Sequence, residues 1–345
     1  MFRASWIPVA HVTLLDEPGR YVVAGVSGER VVVVRGADLE LSAFIDGCIH
    51  RGTPLFEDDE GKLERLSITC PYHGLRYDLR GIAEARACPA FGLAPGARLR
   101  PVRAVERLGF VFVCLEPATP AFEEWAGPLP PWLSRAQMHA LRLGRRVTNE
   151  VRANWKLVVQ NFQESHHFTL VHPGLEARTP WQRSDSVDFG GAFIGGTMEL
   201  RDGIDTVSEA PGLEGRPLVA SPADARHVSD ALLFPGWMTS LQPDYFLSYR
   251  IVPEAPAVTT VIADIYFHAS AFGLGFDPSN VYRFWDRTNA EDRKICERQQ
   301  RGLASPSFEM GPYAPVEDGV HAFDRRVAAA YLALSGAART KKSER

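Results

Sequence analysis

The sequence predicts an α+β protein, in which a small all-β domain precedes a larger domain of mixed helices and strands. Three observations predict this division. Short β-branched runs separated by turn residues fill residues 1–117, five prolines crowd into residues 117–131, and helical and strand-like patterns alternate in residues 147–345. We therefore expect an N-terminal domain at 1–117, a Pro-rich connection at 118–146 and a second domain at 147–345.

The strands of the first domain are predicted from β-branched and aromatic runs that end at Gly, Ser or Asp clusters. The break Ser27-Gly28-Glu29-Arg30 is typical of a hairpin, and Asp46-Gly47 is a strong turn signal. The predicted strands are residues 21–26, 31–34, 41–45, 67–69, 75–78 and 109–115.

The elements of the second domain follow from the change of hydrophobic period. Helices are predicted over residues 154–168, 279–303 and 318–335. Strands are predicted over residues 189–194, 246–252 and 259–267.

Composition and charge exclude several classes of function. The net charge of −4 comes without a basic stripe, so we expect no nucleic-acid partner. No apolar run reaches the roughly 18 residues of a bilayer span, so no membrane association is expected. Five cysteines are an odd number for a disulfide framework, which favours a reducing cytoplasm and metal-binding or core roles for the thiols.

Two Cys/His pairs form the first candidate site. They are Cys48-Ile49-His50-Arg51-Gly52 and Cys70-Pro71-Tyr72-His73-Gly74, and we expect both at the tips of β-hairpins. Two thiolates and two imidazoles can bind a tetrahedral zinc ion or a [2Fe–2S] cluster. Because each segment supplies one ligand of each kind, the arrangement favours a cluster with one iron held by cysteines and the other by histidines.

The second candidate site is QNFQESHHFTLVHP, residues 160–173, with three histidines and one carboxylate. On a helix, Asn161, Glu164 and His167 share roughly one face. His172 can join them only if the helix loosens before Pro173. Two histidines and a more distant carboxylate form the facial triad of mononuclear Fe(II) oxygenases.

Together the two motifs resemble the large subunits of Rieske non-heme iron oxygenases. The resemblance implies that Cys48 and Cys70 ligate one iron of the cluster and that His50 and His73 ligate the other. It also implies a mononuclear iron bound by His167, His172 and Asp292. Asp292 lies in a segment, residues 289–303, that is similar to the family's third-ligand helix, where Glu291 is the competing carboxylate.

The resemblance further gives roles to the neighbours of these ligands. Glu164 and Asn161 are expected to be catalytic, with Glu164 bridging His73 of one subunit to His167 of the next in a homotrimer. His166 stands where relatives usually carry an aromatic residue, so we interpret it as a pocket residue rather than a ligand.

By the same resemblance, the first domain is a Rieske β-sandwich and the second a helix-grip domain with a curled antiparallel sheet. The implied activity is a terminal oxygenase that uses O₂ and electrons from a separate NAD(P)H-dependent reductase, with or without a ferredoxin. It would hydroxylate or oxidatively dealkylate a small organic substrate. The segments 198–203 and 241–245 are similar to those of relatives that act on quaternary amines such as glycine betaine, stachydrine or carnitine.

Two other functions stay open at this point. One is arene cis-dihydroxylation by the same metal sites. The other, of a different class, is electron transfer without oxygenase activity. For a cationic substrate, five aromatic residues are available as faces of the site or as core: Trp237, Tyr245, Tyr249, Tyr266 and Phe267.

Overall fold

The computed structural model of the chain describes residues 1–84, 86, 88–219 and 221–343. It divides into two compact units, one from Phe2 to Phe122 and one from Glu123 onward. The division falls inside the Pro-rich stretch, which contains the short helices α1 (Phe122–Ala126) and α2 (Pro131–Arg135). Among the described residues, no helix combines the length with the apolar character that a bilayer span requires.

The first unit consists of strands with short 3₁₀ turns, as predicted. A four-stranded sheet has the order β4-β3-β2-β5, a three-stranded sheet the order β1-β9-β8, and β6 pairs with β7. The strands are β1 (Ile7–His11), β2 (Arg20–Val26), β3 (Glu29–Arg35), β4 (Leu41–Ile45), β5 (Glu60–Lys62), β6 (Ser67–Thr69), β7 (Arg76–Asp78), β8 (Arg103–Arg107) and β9 (Phe110–Cys114); the 3₁₀ turns are Phe2–Ala4, Val12–Leu15 and Pro89–Phe91.

Strand β3 lies between two core layers, and this position explains its composition. Four consecutive valines, residues 31–34, are fully buried. Because side chains alternate along a strand, Val32 and Val34 pack in the cluster that contains Cys48 and Cys70, while the other two valines pack in a separate cluster with β1 and β9. Burial of both faces accounts for the continuous β-branched run.

The second unit is built on one open antiparallel sheet with the order β10-β16-β15-β14-β13-β12-β11. Its strands are β10 (Leu141–Val151), β11 (Val187–Gly190), β12 (Phe193–Glu199), β13 (His227–Leu233), β14 (Trp237–Leu241), β15 (Tyr245–Ala255) and β16 (Val258–His268). Its helices are α3 (Trp155–Phe162), α4 (Phe168–Val171), α5 (Pro173–Glu176), α6 (Ser279–Leu303) and α7 (Asp318–Ser343), with 3₁₀ turns at Met138–Ala140, Trp181–Arg183, Asp224–Arg226 and Ala269–Ala271. The predicted α+β class is confirmed.

Period-two alternation turns one face of this sheet toward an internal cavity. On neighbouring strands the residues that line the cavity are Val261, Ala263, Leu247, Tyr249, Ser240 and Asp230. Helices α3 and α6 contribute further cavity-lining residues, among them Asn161 and Asp292. The sheet therefore supplies one wall of the cavity and the helices another.

The predicted helix over residues 154–168 is interrupted. Helix α3 begins after Asn154, whose side chain accepts a hydrogen bond from the Lys156 N–H, and ends at Phe162. Residues 163–167 are irregular, and the Glu164 carboxylate accepts the His167 N–H in place of a helical carbonyl. Because this local hydrogen bond replaces a helical one, the helix does not continue through residues 163–167.

Two other local expectations are wrong. Residues 189–194 do not form one strand, because the chain turns at Gly191 and Ala192 between β11 and β12, where Gly190 and Gly191 have positive φ of 76° and 53°. The Cys70 loop does lie at the tip of the β6–β7 hairpin, but the Cys48 loop connects β4 and β5, which lie at opposite edges of their sheet.

Candidate functional site

The two Cys/His loops are closed by the same pair of backbone hydrogen bonds. In the first, Gly52 N–H donates to the Cys48 carbonyl (2.7 Å), and Cys48 N–H donates to the carbonyl of Thr53 (2.9 Å). In the second, Gly74 N–H donates to the Cys70 carbonyl (3.0 Å), and Cys70 N–H donates to the carbonyl of the next residue, Leu75 (2.8 Å). Both glycines have positive φ, 75° and 72°, which explains why each motif ends in glycine.

The loops bring the four predicted cluster ligands together with unequal burial. Cys48 and Cys70 are each 3% exposed and belong to one apolar cluster, whereas His50 and His73 are exposed. The two imidazole rings lie 4.8 Å apart between centroids. Paired buried thiols beside paired exposed imidazoles fit an iron pair with one sulfur-ligated and one nitrogen-ligated iron.

Tyr77 fixes the buried side of this site. Its hydroxyl lies 3.0 Å from the Cys48 sulfur and accepts the Ile49 N–H at 3.1 Å. Burial and the hydrogen bond with Cys48 raise the pKa of Tyr77 well above its usual range, so the phenol keeps its proton.

The second candidate site is also assembled by the fold. His167, His172 and Asp292 each place one ligand atom within 4.8 Å of the others, which is the spacing of a metal-binding group. His172 Nε2 lies 2.8 Å from Asp292 Oδ1, and His167 Nε2 lies 3.8 Å from the same oxygen. The predicted facial triad is therefore brought together across 120 residues of chain.

Two glutamates set the orientation of the two imidazoles. His167 Nδ1 lies 2.6 Å from Glu164 Oε1, and His172 Nδ1 lies 2.7 Å from Glu291 Oε2. A carboxylate can only accept, so each Nδ1 donates its proton to a glutamate, and each Nε2 is the nitrogen that would present its lone pair to a bound metal. Glu291, named above as a competing ligand, thus contacts the far nitrogen of His172 while Asp292 faces the near one.

A hydrogen bond from Asn161 and the burial of His172 also affect the electrostatics of the site. Asn161 Nδ2 donates to Asp292 Oδ1 at 2.6 Å, which orients the carboxylate toward the histidines. Burial by itself lowers the pKa of His172, but the hydrogen bonds and charges of Asp292 and Glu291 outweigh it, so that its pKa is raised.

The three residues open on the internal cavity, which has a volume of about 420 Å³. This is within the range of pockets that enclose a small organic molecule. A face with three protein ligands and an adjacent cavity leaves room for further ligands, which is the arrangement of an open catalytic metal site.

Other predicted residues occupy less central positions. His166 is exposed, and its ring packs against Trp181, a residue of the cavity wall, at 4.7 Å between centroids. Of the five aromatic residues considered for a cationic substrate, Tyr249 lines the cavity. The remaining ones, Trp237, Tyr245, Tyr266 and Phe267, are buried core residues.

Sequence reasoning missed the polar residues on the sheet wall, above all Asp230 and Gln242. A signal for Asp230 was present, because an acid in the middle of HVSDALL is unusual for a buried strand. No comparable signal marks Gln242, since its position facing the cavity depends on the strand register.

Family models match both units of the chain. The family model of the Rieske [2Fe-2S] domain matches residues 5–94, and that of the ring hydroxylating alpha subunit (catalytic domain) matches residues 138–333. These two domains imply a [2Fe–2S] cluster in the first unit and a mononuclear iron in the second.

Related proteins include oxygenase subunits. The chain is 26% identical to the glycine betaine monooxygenase oxygenase subunit of Chromohalobacter salexigens, over 91% of this chain and 77% of that protein. It is 39% identical to the carnitine monooxygenase oxygenase subunit of Escherichia coli K12, over 51% of this chain and 48% of that protein.

Solved structures show the same architecture. A quaternary ammonium Rieske monooxygenase, described for carnitine oxidation and inter-subunit electron transfer, matches with a TM-score of 0.81 and 26% identity, covering 95% of this chain and 89% of the other. Naphthalene 1,2-dioxygenase from Rhodococcus matches with a TM-score of 0.68 and 19% identity, over 94% and 88%, which shows a shared fold alone. The chain therefore belongs to the Rieske non-heme iron oxygenases, as an alpha subunit with a Rieske domain followed by a ring-hydroxylating catalytic domain.

Proposed function

We propose that this oxygenase subunit hydroxylates or oxidatively dealkylates a small N-methylated amine. The observation that carries the proposal is the convergence of His167, His172 and Asp292 on one wall of the cavity. O₂ is the oxidant, and a separate NAD(P)H-dependent reductase, with or without a ferredoxin, supplies the electrons.

The metal ligands are assigned from the donor sets. Cys48 and Cys70 hold one iron of the cluster, and His50 and His73 hold the other; the triad holds the single iron. When bound, the cluster supplies electrons one at a time and the single iron supplies a binding site and activation for O₂.

The protein's own residues prepare the site for that chemistry. Glu164 and Glu291 keep both imidazoles in one tautomer, and Asn161 holds the Asp292 carboxylate toward them. The apolar residues of the sheet wall, such as Val261 and Leu247, limit the access of water to the reacting carbon.

Glu164 has a second proposed role at a subunit boundary. Its carboxylate holds His167 and is proposed to hydrogen-bond His73 of a neighbouring copy, which makes the working assembly a head-to-tail homotrimer. The exposure of His73 supports this, because that imidazole is accessible from outside its own domain. Desolvation and the charges of His50 and Arg51 lower the pKa of His73, which favours the neutral form that ligates metal.

The substrate class is proposed from the relatives. The names of two of them refer to glycine betaine and carnitine, and the quaternary ammonium monooxygenase CntA has been solved with L-carnitine and with gamma-butyrobetaine. Hydroxylation of an N-methyl carbon consumes O₂, two electrons and two protons, and releases water. The resulting carbinolamine splits into formaldehyde and the demethylated amine.

The described cysteines, Cys48, Cys70, Cys88, Cys114 and Cys296, are free and buried, which supports a reducing, cytoplasmic setting. Burial raises the pKa of Cys296, a cavity-lining residue, to about 12, so this thiol is unreactive.

A substrate screen tests the proposed function. The reconstituted protein is supplied with a surrogate reductase, NADH and ¹⁸O₂, and is offered quaternary amines, tertiary amines and arenes. We expect ¹⁸O-labelled hydroxylation or loss of a methyl group from an amine, followed by mass spectrometry. Formation of an arene cis-diol with no amine turnover would overturn the proposal, as would oxidation of reduced cluster without any oxygenated product.

A further inference from the structure

Asp230 places an acid in the middle of the cavity's sheet wall. On β13 it pairs with Gly196 of β12 on one side and with Ser240 of β14 on the other. Gly196 has no side chain to offer it, so Ser240 is the polar side chain directly opposite. Asp230 as a whole is half-buried and lines the cavity, whereas its Oδ1 atom is buried.

Asp230, Ser240 and Gln242 form a hydrogen-bonded row that we call the acceptor patch. Gln242 Nε2 donates to Ser240 Oγ at 2.8 Å, and the Ser240 hydroxyl donates to the Asp230 carboxylate. Gln242 and Ser240 thus each donate to the next residue of the row, and acceptor oxygens remain without a donor. Within the described part of the chain, Asp230 Oδ1 and Gln242 Oε1 are buried and have no hydrogen-bond partner.

An unpaired buried acceptor is costly, and a buried carboxylate is more so. No described cation pairs with Asp230. The basic side chain on the cavity wall, Arg293, donates to Asn149. The two histidines of the cavity wall each donate a hydrogen bond from Nδ1 to a glutamate. Burial raises the pKa of Asp230 to about 7, with the Ser240 hydrogen bond only partly opposing it. The fold therefore holds an acid in a position that its own side chains leave uncompensated.

Resting on the amine oxygenase function proposed above, we infer that Asp230 recognises a protonated secondary or tertiary amine, whose N–H donates to the Asp230 carboxylate. A cationic N–H supplies both the charge and the hydrogen bond that the acceptor patch lacks. A quaternary ammonium supplies only the charge, because its surface consists of C–H groups. Asp230 is thus the specificity-determining residue, and the preferred substrate carries an N–H.

Two cations of similar size test the inference by binding alone. Trimethylammonium has one N–H, tetramethylammonium has none, and both carry one positive charge. Binding to the anaerobic holoenzyme is measured by isothermal titration calorimetry near pH 8, where trimethylamine is still mostly protonated. A charged hydrogen bond is worth roughly a factor of ten or more, so wild type is expected to prefer trimethylammonium by at least about tenfold.

The Asp230→Asn variant keeps the shape of the side chain and removes its charge. It is expected to bring the two affinities to within about twofold of each other, since its amide cannot pair with a cation in the same way. Asp185→Asn is the matched control. Asp185 also lines the cavity, but its Oδ1 already accepts the Thr197 hydroxyl at 3.1 Å, so the preference should persist.

The outcomes separate this inference from the proposed function. The role of Asp230 is wrong if wild type binds the two cations equally, or if the preference survives in Asp230→Asn. Either result leaves the proposal of an amine substrate intact. If wild type binds neither cation but binds an arene such as naphthalene, both the inference about Asp230 and the proposed amine oxygenase function are wrong. The wild-type ratio requires no variant, so equal affinities would overturn the inference even if Asp230→Asn fails to fold.

Discussion

Glu164 holds His167 through two hydrogen bonds at once: Oε1 lies 2.6 Å from the ring Nδ1, and Oε2 accepts the backbone N–H at 3.1 Å. The same carboxylate therefore ends the helical path after Phe162 and fixes the imidazole that faces Asp292. One residue links the local backbone geometry to the orientation of a proposed metal ligand.

Replacing Glu164 by Ala should leave both metals bound and reduce steady-state turnover at least about 100-fold, because His167 loses its orientation and the proposed bridge loses its acceptor. Glu164→Gln retains an acceptor oxygen and should fall between wild type and Glu164→Ala. Turnover is followed by substrate-dependent O₂ uptake, and metals by iron and sulfide analysis. Normal turnover in Glu164→Ala would refute the bridge.

Replacing His167 by Ala should remove the single iron and leave the cluster, so that the iron content falls by about one third. The visible absorption and the electron paramagnetic resonance signal of the reduced cluster should be unchanged. His166→Ala, which alters an exposed neighbour, is expected to retain all of its iron. Loss of cluster absorption in His167→Ala alone would contradict the assignment of separate sites.

Replacing Glu291 by Ala should weaken iron binding at the triad by about 10–100-fold, because His172 loses the acceptor at its far nitrogen. Competition with a chelator measures the affinity. Arg298→Ala, at an exposed position of the same helix, should have no effect. If Glu291 were itself the ligand in place of Asp292, then Asp292→Ala would keep the iron and Glu291→Ala would lose it entirely.

Replacing Asn154 by Ala should lower the free energy of unfolding by about 1 kcal/mol, because helix α3 loses its N-cap acceptor for the Lys156 N–H. The Nδ2 hydrogen bond to the Pro256 carbonyl (2.6 Å) is lost as well. Asn154→Asp keeps the cap and loses only the second bond, so it should be less destabilised in urea titrations. Equal stability of the two variants would show that the cap contributes nothing.

The stability of the ligand-free protein should depend on the protonation of Asp230. Its pKa is raised to about 7 by burial, so its contribution to stability is present in acid and is lost as the pH rises through about 7. The negative charge that then appears on Asp230 also helps to raise the pKa of Tyr249, which lies two strands away in the sheet. The melting temperature of the Asp230→Asn variant should therefore gain on that of wild type as the pH rises from about 4, the pKa of an Asp in the unfolded chain, to about 7. A difference that is constant with pH would show that Asp230 does not titrate in this range.

The metal motifs were predictable because their information is local. Cys48 with His50, Cys70 with His73, and His167 with His172 each occupy a few consecutive residues, and the residue types themselves specify the chemistry. The bounds of helix α6 were likewise predicted from its pattern, and α7 was predicted but extends further, to Ser343. Asp292 required the resemblance to a family, since nothing local distinguishes it from Glu291.

By itself, then, the sequence determined the fold class, the two metal motifs and the family to which the chain belongs. Only the tertiary structure decided which carboxylate faces which nitrogen of His172, and that Asp230 and Gln242 share a cavity wall with unpaired oxygens. The physical reason is that ligand type and spacing are written in neighbouring residues. Cross-strand register and the packing of a distant helix, by contrast, depend on how the whole chain satisfies its hydrogen bonds and buries its apolar surface.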